Sequence, residues 1–152
     1  MQVFRISKSD FIKDLTGTSA RTYGGRWNRK GTSMVYTAES RALATVEYLV
    51  HVPISIVPND LSMACIEIPD QIKPLQLPLT ELPGNWRDYP PPDRLAEMGT
   101  NWAKSKKSLL LRVPSAVVEE YNLLINPLHP DFRYIKLKET KKYAFDSRLL
   151  KN

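Results

Sequence analysis

Twelve prolines set against six glycines in 152 residues constrain this chain more than any other feature. Each proline fixes φ and removes a backbone donor, so long helices and central strands cannot run through it. Short elements joined by fixed turns follow, which argues against an all-helical bundle. The length suits a single domain over 1–152, with core enough to need neither disulfide nor metal.

Between the prolines, strand-like and helix-like patterns are interspersed. Residues 3–6, 34–37, 61–68 and 109–113 read as strands, the third an apolar run closed by Pro69 and Asp70. Residues 123–125 and 132–137 read as the last strands, the second continuing beyond Glu139. A short helix is expected over 10–15, and Ser40 is a suitable N-cap for another running to about His51, ahead of Pro53. Leu95, Met98 and Trp102 recur at helical spacing within 94–106, and a helical turn is expected at 116–120. Residues 16–32, rich in Gly, Ser, Thr and Arg, read as irregular, and 74–92 as a proline-broken connection carrying Trp86. Without a regular βαβ repeat, a compact α+β fold is expected.

The segment MQVFRISKSD has no charged leader followed by an apolar core, and no window approaches ~20 apolar residues. The single cysteine, Cys65, cannot build a disulfide framework, so a cytoplasmic location is expected and no membrane contact. A net charge of +6 favours anionic partners such as nucleic acid, a nucleotide or an acidic protein. The lysines at 104, 106 and 107, and at 136, 138, 141 and 142, read most simply as solvated faces of a helix and a strand. No nucleic-acid-binding motif accompanies them.

The densest chemical signal is Tyr23-Gly24-Gly25-Arg26-Trp27-Asn28. Paired glycines let the backbone take positive φ and approach a ligand closely, and the arginine fork suits a diphosphate. It is no dinucleotide fingerprint, because G-x-G-x-x-G is absent. On the helix after Ser40, advancing ~100° per residue puts Ala42, Leu43, Val46, Leu49 and Val50 in one apolar stripe. Glu47 falls about 40° outside that stripe, at its border, where a carboxylate forms a salt bridge or stays ionised in a partly dry cleft. Taken alone, Tyr36 reads as a strand aromatic packed on the core and Ser115 as a helix N-cap. G-x-S-x-G and H-E-x-x-H are absent, so neither a serine hydrolase nor a zinc site is supported, and nothing local pairs His51 with His129.

Taken in order, several segments resemble the RES family of bacterial toxins, named for an arginine, a glutamate and a serine. They are Phe4-Arg5-Ile6, Gly24-Gly25-Arg26-Trp27-Asn28, Val35-Tyr36-Thr37, and Leu43 through Glu47 to His51. Leu82-Pro83, Trp86, Gly99-x-x-Trp102 and Val113-Pro114-Ser115-Ala116 follow, then Asn126-Pro127-x-His129-Pro130 and Phe145-Asp146-x-Arg148-Leu149. The departure is a short connection around 86–94, at the expected rim of the cleft.

The resemblance implies a fold similar to the ADP-ribosyltransferases, with NAD as a substrate and no resident cofactor. It implies Glu47, Arg26 and Ser115 as catalytic residues, and Arg26, Tyr36, Gly24 and Gly25 as NAD contacts, with Arg5 added. Arg26 would hold the diphosphate, Tyr36 would pack at the nicotinamide end, Ser115 would orient NAD, and Glu47 would stabilise an oxocarbenium-like centre. No metal enters. The implied partner is an antitoxin with an Xre-type helix-turn-helix domain, which would carry any DNA contact. Both a homodimer and a toxin–antitoxin hetero-oligomer are compatible with the chain. Water, phosphate or a protein could receive the ADP-ribose. A basic nucleic-acid-binding module or ribonuclease is the alternative of another class.

Overall fold

The computed structural model describes residues 1–151. Its strands are β1 (Gln2–Lys8), β2 (Val35–Ala38), β3 (Leu61–Glu67), β4 (Leu75–Gln76), β5 (Leu110–Pro114), β6 (Tyr121–Ile125) and β7 (Lys136–Tyr143). The helices are α1 (Thr18–Tyr23), α2 (Arg41–Leu49) and α3 (Asp93–Ser105). The strands form one mixed sheet in the order β4-β5-β6-β2-β1-β3-β7. The β4–β5 pair is parallel and the other neighbours are antiparallel. The expected α+β domain is what forms.

The sheet has a seam. β1 and β3 pair from Gln2↔Glu67 to Lys8↔Leu61, whereas β1 meets β2 at the single registered pair Phe4↔Ala38. One half is therefore β1-β3-β7 and the other β4-β5-β6-β2. In the first half β3, flanked by β1 and β7, is buried from Leu61 to Ile66, which explains why its sequence is apolar at both parities.

Strand alternation sorts the core into layers. Val3, Val35, Ala64, Ile66, Leu110, Leu123 and Ile125 gather on one face with Ile12. Turns cover that face, including Phe132 and Ile135 packed at its edge. The opposite face carries the helices: Phe4, Ala38, Met63 and Cys65 meet Leu43 and Ala44 of α2. Beside them Leu111, Val113 and Leu124 meet Trp27 and the Leu95, Trp102 and Ala103 side chains of α3.

Several local expectations are corrected. Residues 10–15 form a turn over 10–13 and irregular chain after it instead of a helix, with Arg5 Nη1 donating to the carbonyls of Ile12 and Asp14. The helix nearby is α1, inside the segment read as irregular. Residues 116–120 are bends: the Ser115 hydroxyl accepts from the N–H of Val117 and Val118, as a cap does, but the chain turns back at once into β6. Residues 130–134 form a 3₁₀ turn begun by Pro130 and capped by His129 Nδ1, so the last strand starts at Lys136.

Candidate functional site

Glu47 is not at the edge of the buried face of α2 but near its centre. Leu43 and Ala44 are the buried residues, while Ala42 and Val50 are exposed. On a ~100°-per-residue wheel, Glu47 lies about 10° from the midpoint of Leu43 and Ala44. The apolar stripe misled because α2 lies over the seam and packs Leu43 and Ala44, not Ala42 and Val50, against Phe4, Ala38, Met63 and Cys65. Ser40 Oγ accepts from Leu43 N at 3.0 Å and fixes the start of the helix as expected.

The acid meets two donors from one hairpin. Ser115 Oγ donates to Glu47 Oε1 at 2.5 Å, and Asn122 Nδ2 donates to the same oxygen at 2.8 Å. Ser115 directly follows β5 and Asn122 is the second residue of β6, and antiparallel pairing of Val113 with Asn122 puts both on the helix-covered face. Ser115 is 1% exposed and its hydroxyl hydrogen is committed to Glu47. It is therefore no free nucleophile.

Arg26 sits in a rigid turn. Gly25 and Asn28 bridge across it, and buried Asn28 is its hub. Asn28 Nδ2 donates to the carbonyls of Ala20, Arg29 and Thr32, while its Oδ1 accepts from Tyr36 OH at 2.6 Å. The phenol oxygen in turn accepts from Trp27 N at 3.0 Å. Gly24 takes φ 73°, as the glycine pair suggested. Gly25 serves a different close approach, since a Cβ there would lie 2.7 Å from Tyr36 OH.

Arg26 Nη1 donates to the carbonyls of Trp86 and Asp88, at 2.8 and 3.2 Å. The connection expected at the rim thus orients the arginine. Among the described residues no carboxylate pairs with it within salt-bridge distance, so its charge remains open to an anion. Burial lowers the Arg26 pKa, while the nearby Glu47, Tyr36 and Tyr89 act to raise it. Burial pushes the Tyr36 phenol well up, against the smaller effects of the Trp27 N–H and Arg26, so it stays protonated.

The structure thus brings together Arg26, Tyr36, Glu47 and Ser115, with Gly24 and Gly25 in the supporting turn. It does not bring Arg5 to them: Arg5 shares the parity of Val3 on β1 and lies on the opposite face of the sheet. Sequence reasoning gave no role to Asn122 or Asn28. Asn28 lay inside the glycine-arginine segment and could have been suspected; Asn122 had no local signal. His129 is engaged as a cap.

A small α+β domain with a hydrogen-bonded glutamate and an arginine free of salt bridges among the described residues is the class that the fold and site define. Residues 2–146 match the family model described as RES domain, and the chain belongs to the RES domain family. A protein named Prs ADP-ribosylating toxin, from Sphingobium sp. (strain YBL2), is 42% identical over 142 residues, covering 91% of this chain and 88% of that protein. A protein named Toxin Res, from Yersinia enterocolitica, is 40% identical over 152 residues, covering 98% and 99%. Among solved structures, a chain of the M. tuberculosis MbcT–MbcA toxin–antitoxin complex superposes with a TM-score of 0.76 at 17% identity. The match covers 98% of this chain and 86% of that one and shows a shared fold.

Proposed function

We propose that this RES domain is the toxin of a toxin–antitoxin pair and depletes NAD by cleaving the nicotinamide–ribose bond. The observation that carries the reading is the Glu47 carboxylate, gripped by Ser115 and Asn122, in a site that also holds Arg26 without a salt-bridge partner among the described residues. When the C–N bond breaks, its electron pair leaves with nicotinamide, which departs neutral, so no general acid is needed. The ribose carbon becomes oxocarbenium-like, and one carboxylate suffices to stabilise it. Arg26 binds the diphosphate as a charged fork. Tyr36 has its hydroxyl engaged by Asn28 and Trp27, so it offers the ring at the nicotinamide end. Ser115 acts through Glu47 instead of on NAD.

Water or phosphate then attacks the ribose carbon, giving ADP-ribose or its phosphorylated product. A cytoplasmic location fits a protein acting on the cellular NAD pool. The likeness to a chain of a toxin–antitoxin complex supports an antitoxin partner, of the helix-turn-helix kind that the family resemblance implies. The second reading is transfer of ADP-ribose to a protein, favoured by the name of the Sphingobium relative.

Purified protein incubated with NAD, with and without phosphate, and analysed by mass should release nicotinamide. Glu47→Gln should lower the rate by about 10²–10³ while leaving the fold intact. Full turnover in that variant sinks the assignment. ADP-ribose attached to an added protein would select the second reading. Retention of NAD alongside salt-sensitive binding to random RNA would instead favour the nucleic-acid alternative.

A further inference from the structure

We propose that Asn122 is a positioning residue which, with Ser115, holds Glu47 by Oε1 alone and leaves Oε2 to face the substrate. The inference rests on the NAD-cleaving reading and deepens it. Ser115 Oγ and Asn122 Nδ2 converge on Oε1, at 2.5 and 2.8 Å. Among the described residues no donor reaches Oε2. Nor does Oε2 count among the buried unpartnered atoms, so it opens to solvent.

The Asn122 amide itself identifies its purpose. Its Oδ1 is buried without a hydrogen-bond partner, a penalty that an apolar residue of similar shape would avoid. An amide kept for stability is favoured to satisfy both ends. This one satisfies only the end that grips the acid. Asp at this position would set a second carboxylate against Glu47, and Leu would offer no donor.

Both donors also belong to one rigid unit. Val113 pairs with Asn122 and Pro114 with Tyr121, and Ser115 N donates to Glu120 O across the neck of the hairpin. The hairpin therefore fixes both hydrogen bonds together. Two donors on one oxygen stop the carboxylate from swivelling, so one lone-pair set is presented in a constant direction to the ribose centre.

The test is Asn122→Leu, with Ser115→Ala beside it, assayed for NAD cleavage and urea unfolding. Asn122→Leu should lower kcat at least tenfold, leave the KM for NAD within twofold, and leave the unfolding midpoint unchanged or raised. A cycle of Asn122→Leu with Glu47→Ala, read by unfolding alone, should show coupling of at least threefold in the unfolding constant. Retained kcat in Asn122→Leu overturns the proposal while the NAD reading stands. A lowered midpoint without coupling to Glu47 also overturns it, since Asn122 would then be merely structural. If the wild type leaves NAD intact, the reading above fails, and the unfolding cycle alone decides whether Asn122 grips Glu47.

Discussion

Gly25 makes room for Tyr36. A Cβ there would lie 2.7 Å from the phenol oxygen and 3.0 Å from Asn28 Oδ1. Gly25→Ala should destabilise the protein by about 1–3 kcal/mol, read by urea unfolding, and raise the KM for NAD by displacing Arg26. Tyr36→Phe removes the hydroxyl that joins Asn28 to Trp27 and should cost about 1–3 kcal/mol at pH 7. Because burial raises the folded-state pKa of Tyr36, its contribution is fully present below the unfolded tyrosine value of about 10. It is lost as pH climbs from there towards the folded value. Stability measured from pH 8 to 11 should therefore fall less steeply in Tyr36→Phe than in the wild type. At this scale the sequence was half legible. Arg26 stood out by residue type and neighbours, and Glu47 by its place on a helix. Asn122 did not, because its partner is 75 residues away and no periodicity reports a hydrogen bond across that separation.

Helix α3 and the arginine turn are joined through a glycine. Gly99 lies in the helix interior, where glycine is unfavourable by about 1 kcal/mol relative to alanine. It is there because a Cβ would fall 1.8 Å from the Trp27 carbonyl oxygen. Gly99→Ala should lower the unfolding temperature and weaken NAD turnover, although Gly99 touches no site side chain. Gly84→Ala, with nothing within 4 Å of its added Cβ, is the control and should change neither. At the other end, Phe145 packs edge-on against Tyr143 and tilts onto Tyr48 of α2, while Tyr143 OH meets Thr45 Oγ1. Phe145→Ala should loosen α2 from β7 and destabilise by about 3 kcal/mol or somewhat less at this partly exposed site. The strands and long helices were readable from apolar periodicity. The short pieces at 10–15, 116–120 and 132–135 were not, because side-chain caps and the sheet's need for cover decided them over local propensity.

The molecule as a whole is a sheet of two well-paired halves joined at a weak seam near its middle. β3 is buried and paired on both edges, so its amides should exchange slowest, and those of the edge strands β4 and β7 fastest, by native-state hydrogen exchange. The order of elements could be read along the chain, but the seam could not. It depends on strand neighbours distant in sequence, and no composition signal marks where pairing shrinks to one registered position. Helix α2 lies across that seam, touching Phe4, Met63 and Cys65 from one half and Ala38 from the other. Its carboxylate is then gripped from the β5–β6 hairpin. Ser115 and Asn122 follow Glu47 by 68 and 75 residues, so the parts of the site emerge from the ribosome far apart in time. A nascent chain carries the acid and the arginine long before it has the hairpin that aims the acid. Translation products that stall before β6 lack the hairpin that grips Glu47, and such a product, once isolated, should show none of the NAD cleavage proposed above.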